Sequence, residues 1–133
     1  MGAMPASTAD GTMTTWITIC ETCRLNGWVP GDISTTDGER LAALVEAAAQ
    51  GTDVRTRRHP CLMGCSQGCN VAIQAEGKMA YTLGRLDPDS ATAAAIVAYA
   101  RHHATSDSGV VPWRDWPERI KAHFVTRHPP LPR

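Results

Sequence analysis

The chain has 133 residues and a mass of 14.3 kDa, which is one domain with room for a core that needs no disulfide staples. Thirteen Lys and Arg balance thirteen Asp and Glu, so there is no overall field to hold nucleic acid or an anionic membrane. No apolar run approaches the roughly 20 residues that a membrane-spanning helix needs.

Residues 1–13 are small and polar, with neither a basic head nor an apolar stretch. They predict a disordered segment and a cytoplasmic protein. Met1-Gly2-Ala3-Met4 reads as a cloning scar, and Met4 and Met13 are candidate native starts. From Thr14 to Cys20 the run is β-branched, aromatic and alternating, which predicts a strand ending in Cys20-Glu21-Thr22-Cys23. Gly27, Pro30 and Gly31 then break the chain into a loop. Asp37 is placed as the cap of a helix whose apolar face is Leu41, Leu44, Val45 and Ala48, ending at Gly51.

Val54, Thr56 and Arg58 predict a short second strand. Val71–Gln74 and Met79–Leu83 predict a hairpin turning at Gly77-Lys78. Asp87-Pro88 predicts a helix start, with Asp87 as cap, for an alanine-rich helix over Ala91–Ala104. His102, His103, His123 and His128 are expected to be solvated. After a linker at Ser106–Gly109, the residues Trp113, Trp116, Ile120 and Phe124 surround one short helix, and His128–Pro132 reads as extended.

The order strand, helix, strand, hairpin, helix predicts an α/β fold. Strand–helix–strand units prefer a parallel crossover, and the hairpin extends the same sheet antiparallel. This is a thioredoxin-like β-α-β-β-β-α mixed sheet over residues 14–105, followed by an irregular C-terminal extension over 106–133 that packs on the domain or on a second subunit.

The five cysteines are the one compositional excess, spaced Cys20-x2-Cys23 and Cys61-x3-Cys65-x3-Cys69. In the predicted sheet both groups follow parallel strands, so both belong at its carboxyl end, where sites collect. Thiolates gathered there without a metal would repel one another and oxidise. Iron–sulfur clusters and zinc both accept four thiolates. Gly64, Ser66 and Gly68 leave space for backbone to wrap a cluster, and a zinc ribbon would show two Cys-x2-Cys knuckles instead of one.

Cys23-Arg24-Leu25-Asn26-Gly27 after Cys20, and Cys61-Leu62-Met63-Gly64-Cys65 before a strand, resemble the thioredoxin-fold [2Fe-2S] ferredoxins. The resemblance covers Thr14–Ala104 and implies a [2Fe-2S] cluster held by Cys20, Cys23, Cys61 and Cys65. Two departures stand out: the first pair is closer than that family usually has, and Cys69 stands where it commonly has proline. From Trp16 onward the chain also resembles a bacterial family described only as metal-binding proteins, whose genes often lie near cobalamin-biosynthesis and cobalt-handling genes. That narrower resemblance rests on Cys65-x3-Cys69-Asn70-Val71-Ala72, Gly77-Lys78-Met79-Ala80-Tyr81 and Gly109-Val110-Val111-Pro112-Trp113. It implies metal binding and a link to cobalamin biosynthesis.

The expected function is therefore that of a one-electron carrier and not an enzyme, working with a redox partner protein as a homodimer. The alternative is a thiolate metal-handling protein, a sensor or metallochaperone for zinc or cobalt. A third reading is a thiol–disulfide oxidoreductase using Cys20 and Cys23, although Gly27 and Pro30-Gly31 interrupt the helix that would lower a thiol pKa there. Cys69 is a second-tier ligand, a resolving thiol, or a small residue packed under the loop. His59 has no matching histidine beside Cys20 or Cys23, which argues against a Rieske-type centre. Arg55, Arg57 and Arg58 form a basic patch beside the cysteine loop, either a wet strand face or a surface that steers an acidic redox partner. Trp113 and Trp116 are expected to cover an apolar edge or another subunit.

Overall fold

Alternation along β1 (Trp16–Cys20) divides the molecule into two sides: Ile17 and Ile19 are fully buried, whereas Trp16 on the opposite face is partly exposed. The computed structural model describes residues 14–22, 36–60, 62 and 69–132. The predicted N-terminal segment and the loop around Gly27 and Pro30 lie outside them. β1 pairs parallel with β2 (Arg55–His59) and antiparallel with β3 (Val71–Gln74). β3 forms the hairpin with β4 (Ala80–Leu83), and β4 pairs antiparallel with β5 (Phe124–His128). The sheet order is β2-β1-β3-β4-β5. The order and directions of the first four strands are those of the thioredoxin-like arrangement.

Two helices cover the isoleucine side. α1 (Asp37–Ala49) buries Leu41, Ala42 and Val45, and α2 (Ser90–Thr105) buries Ala93, Ile96, Tyr99 and Ala100. Both join one buried cluster with Ile17, Ile19, Val71, Ile73, Tyr81 and Leu83. Each fully buried aliphatic side chain contributes about 1.5–3 kcal/mol, so this cluster outweighs any single cap or ion pair. The observed caps lie one and two residues from the expected Asp37 and Asp87. Thr36 caps α1 through a capping box with Glu39, and Asp89, not Asp87, caps α2 by accepting the Thr92 N–H at 2.8 Å.

The extension is more regular than its sparse apolar pattern predicts. A 3-10 turn (Trp113–Asp115) and the short α3 (Glu118–Lys121) lead into β5, which closes the sheet on the far side of β4. Ile120 is fully buried, and Arg119 reaches back to Thr92 and Asp89 at the start of α2. Trp116 stacks edge-on against Tyr99 with ring centroids 5.3 Å apart, and its indole N–H donates to the Val111 carbonyl. Trp113 stays on the surface, 58% exposed, with the Lys121 ammonium over its ring.

Two histidines expected in solvent are not there. His123 is half-buried and bonds to Gly84 through both backbone and ring, extending the β4–β5 pairing. His103 is fully buried. Its Nε2 lies 2.7 Å from the Met79 carbonyl and its Nδ1 2.8 Å from the Thr15 hydroxyl. A neutral ring satisfies both contacts by donating from Nε2 and accepting at Nδ1. The helix end is served instead by Lys78, whose ammonium donates to the carbonyls of His103 and Ala104. Gly109 presses on this knot: a Cβ there would meet the Met79 nitrogen and the Lys78 Cβ at 2.8 Å, at a φ of +83°. Among the described residues no helix is long and apolar enough to cross a membrane.

Gly109→Ala combines left-handed strain with a clash against backbone and is expected to cost about 3 kcal/mol or more. Gly51→Ala has a similar φ of +82° but open space around it, and should cost about 1 kcal/mol. Urea denaturation of the two variants checks the difference.

Burial lowers the His103 pKa below its ordinary 6.5, with the Lys78 charge adding to the effect. The unfolded chain therefore binds this proton more readily. The associated stability is fully present above pH ~6.5 and is lost as pH falls through the folded-state pKa. His103→Gln should flatten that part of a stability–pH profile while leaving the more acidic slope of Asp89 and Glu46, whose carboxyls their arginine and backbone partners hold below the usual range.

Candidate metal centre

Cys20 occupies the last position of β1, with only 1% of its surface exposed. Both neighbouring strands hold the chain at this point. The Cys20 N–H donates to the Asn70 carbonyl at 3.2 Å on the β3 side, and the Glu21 N–H donates to the His59 carbonyl at 3.0 Å on the β2 side. Two further contacts tie the turn after β1 to the chain leaving β2. The Thr22 hydroxyl donates to the Pro60 carbonyl, and the Leu62 backbone N–H donates to Cys20 Sγ at 3.5 Å.

A third segment meets them. Thr36, the cap of α1, accepts the Glu39 N–H at 3.1 Å and donates its hydroxyl to the Glu21 carbonyl. The turn after β1, the chain after β2 and the start of α1 thus converge on one end of the sheet. Leu62, Thr22 and Thr36 were not singled out as site residues from the sequence. The Thr36-x-x-Glu39 spacing is nonetheless a legible capping-box signature.

Of the five candidate cysteines, Cys20 and Cys69 lie among the described residues, and Cys23, Cys61 and Cys65 lie outside them. Cys69 is fully buried within the apolar core, one residue before Asn70, and its carbonyl accepts the Leu86 N–H at 3.1 Å. Among the described residues no three metal-ligating side chains come together. What is described fits a thiolate-held group. A buried sulfur at a strand end accepts a backbone N–H, the kind of hydrogen bond that favours the charged form of sulfur and tunes metal-bound thiolates.

The three arginines of β2 do not act together. Arg58 points to the helix side and makes two 2.9 Å hydrogen bonds with Glu46 of α1, which raises its own pKa and lowers that of the carboxyl. Arg57 lies on the other face, donating to Thr18 at 2.7 Å and to Gln74 at 3.5 Å. At the opposite end of the parallel strands is a depression of about 400 Å³ lined by Thr52, Val54, Arg101 and His102, remote from Cys20 in the strand register.

The family model described as "Protein of unknown function (DUF1636)" matches residues 17–130. The chain belongs to that family. The match runs from β1 through β5 and so takes in most of the C-terminal extension. No curated protein and no solved structure matches the chain.

Thr36 links helix capping to the cysteine end. Thr36→Ala is expected to cost about 1–2 kcal/mol in chemical denaturation, and Thr36→Ser, which keeps both hydroxyl bonds, less than half of that.

Proposed function

We propose that this member of the family is a one-electron carrier whose cysteines hold a single [2Fe-2S] cluster. The observation that carries the reading is the hydrogen bond from the Leu62 N–H to the buried Cys20 sulfur, reinforced by the Thr22–Pro60 bond. These contacts join the segment containing Cys20 and Cys23 to the one that opens with Cys61, as a shared ligand set requires. Cys20, Cys23, Cys61 and Cys65 are the proposed ligands, in line with the ferredoxin resemblance. Cys69, buried among apolar side chains, is assigned to packing under the loop.

When bound, the cluster supplies reversible one-electron chemistry. The protein's part is to exclude water from Cys20, to donate amide hydrogen to its sulfur, and to hold the strand ends at fixed spacing. Service to cobalamin biosynthesis belongs to the same proposal and rests on the narrower resemblance, while the cytoplasmic setting rests on the composition of residues 1–13. Homodimerisation is implied by the ferredoxin resemblance, and the exposed Trp113 and the β5 edge offer a surface for it.

Protein purified without oxygen should be red-brown, carry about two iron and two sulfide per chain, and bleach on reduction. Serine in place of Cys20, Cys23, Cys61 or Cys65 should remove the colour, while Cys69→Ser keeps it. A colourless protein with about one zinc per chain would replace this reading by thiolate metal handling. Colour lost with Cys69→Ser and kept with Cys65→Ser would overturn the ligand assignment.

A further inference from the structure

The strand positions that face away from α1 and α2 form the second face of the sheet, on which Thr18 and Cys20 are buried and Trp16 and Gln74 are exposed. None of the five strands contains an Asp or Glu, so this face carries no carboxylate from the sheet. It does carry Arg55 and Arg57, both exposed. The register places Arg55 beside Trp16, Arg57 beside Thr18 and His59 beside Cys20. Same-face residues on a strand are about 6.6 Å apart, so Arg57 stands one such step from the Cys20 row and Arg55 two.

Three features separate this face from an ordinary wet strand. First, among the described residues its arginines have no acidic partner, although the chain has as many acids as bases; Arg58, on the other face, has taken Glu46. Second, Arg57 is held flat across β1 by neutral groups, the Thr18 hydroxyl and the Gln74 amide, which orders the guanidinium without cancelling its charge. Third, Trp16 lies next to Arg55 in the same row with 36% of its surface exposed. Tryptophan and arginine together are the composition of interface hot spots.

We propose that this face is the docking surface for an acidic protein, the partner that exchanges electrons at the Cys20 end; the electron-exchange role rests on the function proposed above. Carboxylates of the partner pair with Arg55 and Arg57, and an apolar side chain of the partner covers Trp16. Docking there puts the partner against the strand end that Cys20 terminates. A nucleic-acid strand fits less well, because it needs a longer basic track than two arginines on a chain of zero net charge.

The test uses the full chain and poly-L-glutamate as the acidic probe, followed by tryptophan fluorescence and by amide chemical shifts. Binding should perturb Trp16, Arg55 and Arg57 and weaken about tenfold between roughly 50 and 200 mM salt. R55E/R57E should weaken it more than tenfold, and R55Q/R57Q, which avoids added repulsion in folding, several-fold. R101E/R114E, remote from this face, should leave it unchanged. Equal losses from the remote pair, or none from the β2 pair, would overturn the proposal. So would tighter binding of oligo-dT than of poly-L-glutamate at the same salt, or a dimer that R55E/R57E dissociates. The binding readout needs no cluster: a zinc-loaded protein that still binds poly-L-glutamate through Arg55 and Arg57 would refute the electron-carrier reading and keep the surface. A clustered protein that does not bind would do the reverse.

Discussion

The unlike pairing of β1 with its two neighbours is the constraint from which the rest of the molecule follows. β2 runs parallel to β1 and β3 runs against it. The carboxyl end of β2 and the amino end of β3 therefore lie at the same edge of the sheet, on either side of Cys20. The connection between them begins and finishes where β1 stops, with His59 paired to Cys20 on one side and the Asn70 carbonyl bonded to the Cys20 N–H on the other. A wholly parallel sheet would need a crossover helix between these strands and would carry Cys69, next to β3, to the opposite end of the sheet.

That pairing is itself held by one-sided burial. Ile17, Ile19, Val71 and Ile73 pack with α1 and α2, and slipping any strand by one residue would turn them outward. The register is thus strongly determined, and the other face is left with what the alternation assigns to it: two arginines, histidines, small polar or apolar residues, Gln74 and one tryptophan. The same two-residue period that builds the core leaves Arg57 and Thr18 side by side and sends Arg58 to Glu46.

Much of this was legible because the local signals agree with one another. The β-branched run before Cys20, the breakers around Gly77 and the alanine-rich stretch after Pro88 all mark elements that form. The misses share a cause, which is that the deciding partner is distant in sequence. β5 reads Phe-Val-Thr-Arg-His, with no apolar alternation, and becomes a strand through pairing with β4. His103 is drawn inside by Thr15 and by Met79, and neither contact leaves a mark in the helix that carries it. The caps are a different matter: Thr36 with Glu39 is a signature present in the sequence, and the acidic Asp37 beside it is the first residue of the helix. At the cysteine end, the spacing shows that two groups exist and the fold shows that their flanking residues touch.

The fold also imposes an order on its own assembly. All five cysteines lie before β3, whereas the strand that closes the sheet beyond β4 begins only at Phe124. As the chain emerges during synthesis, the thiols at one end of the sheet are presented while the opposite edge is still open and Tyr99 still lacks the cover of Trp116. The nascent protein therefore presents its thiols before its architecture is complete. Reactive thiols and an unpaired β4 edge coexist until the extension emerges, a window in which oxidation and strand pairing between chains compete with folding.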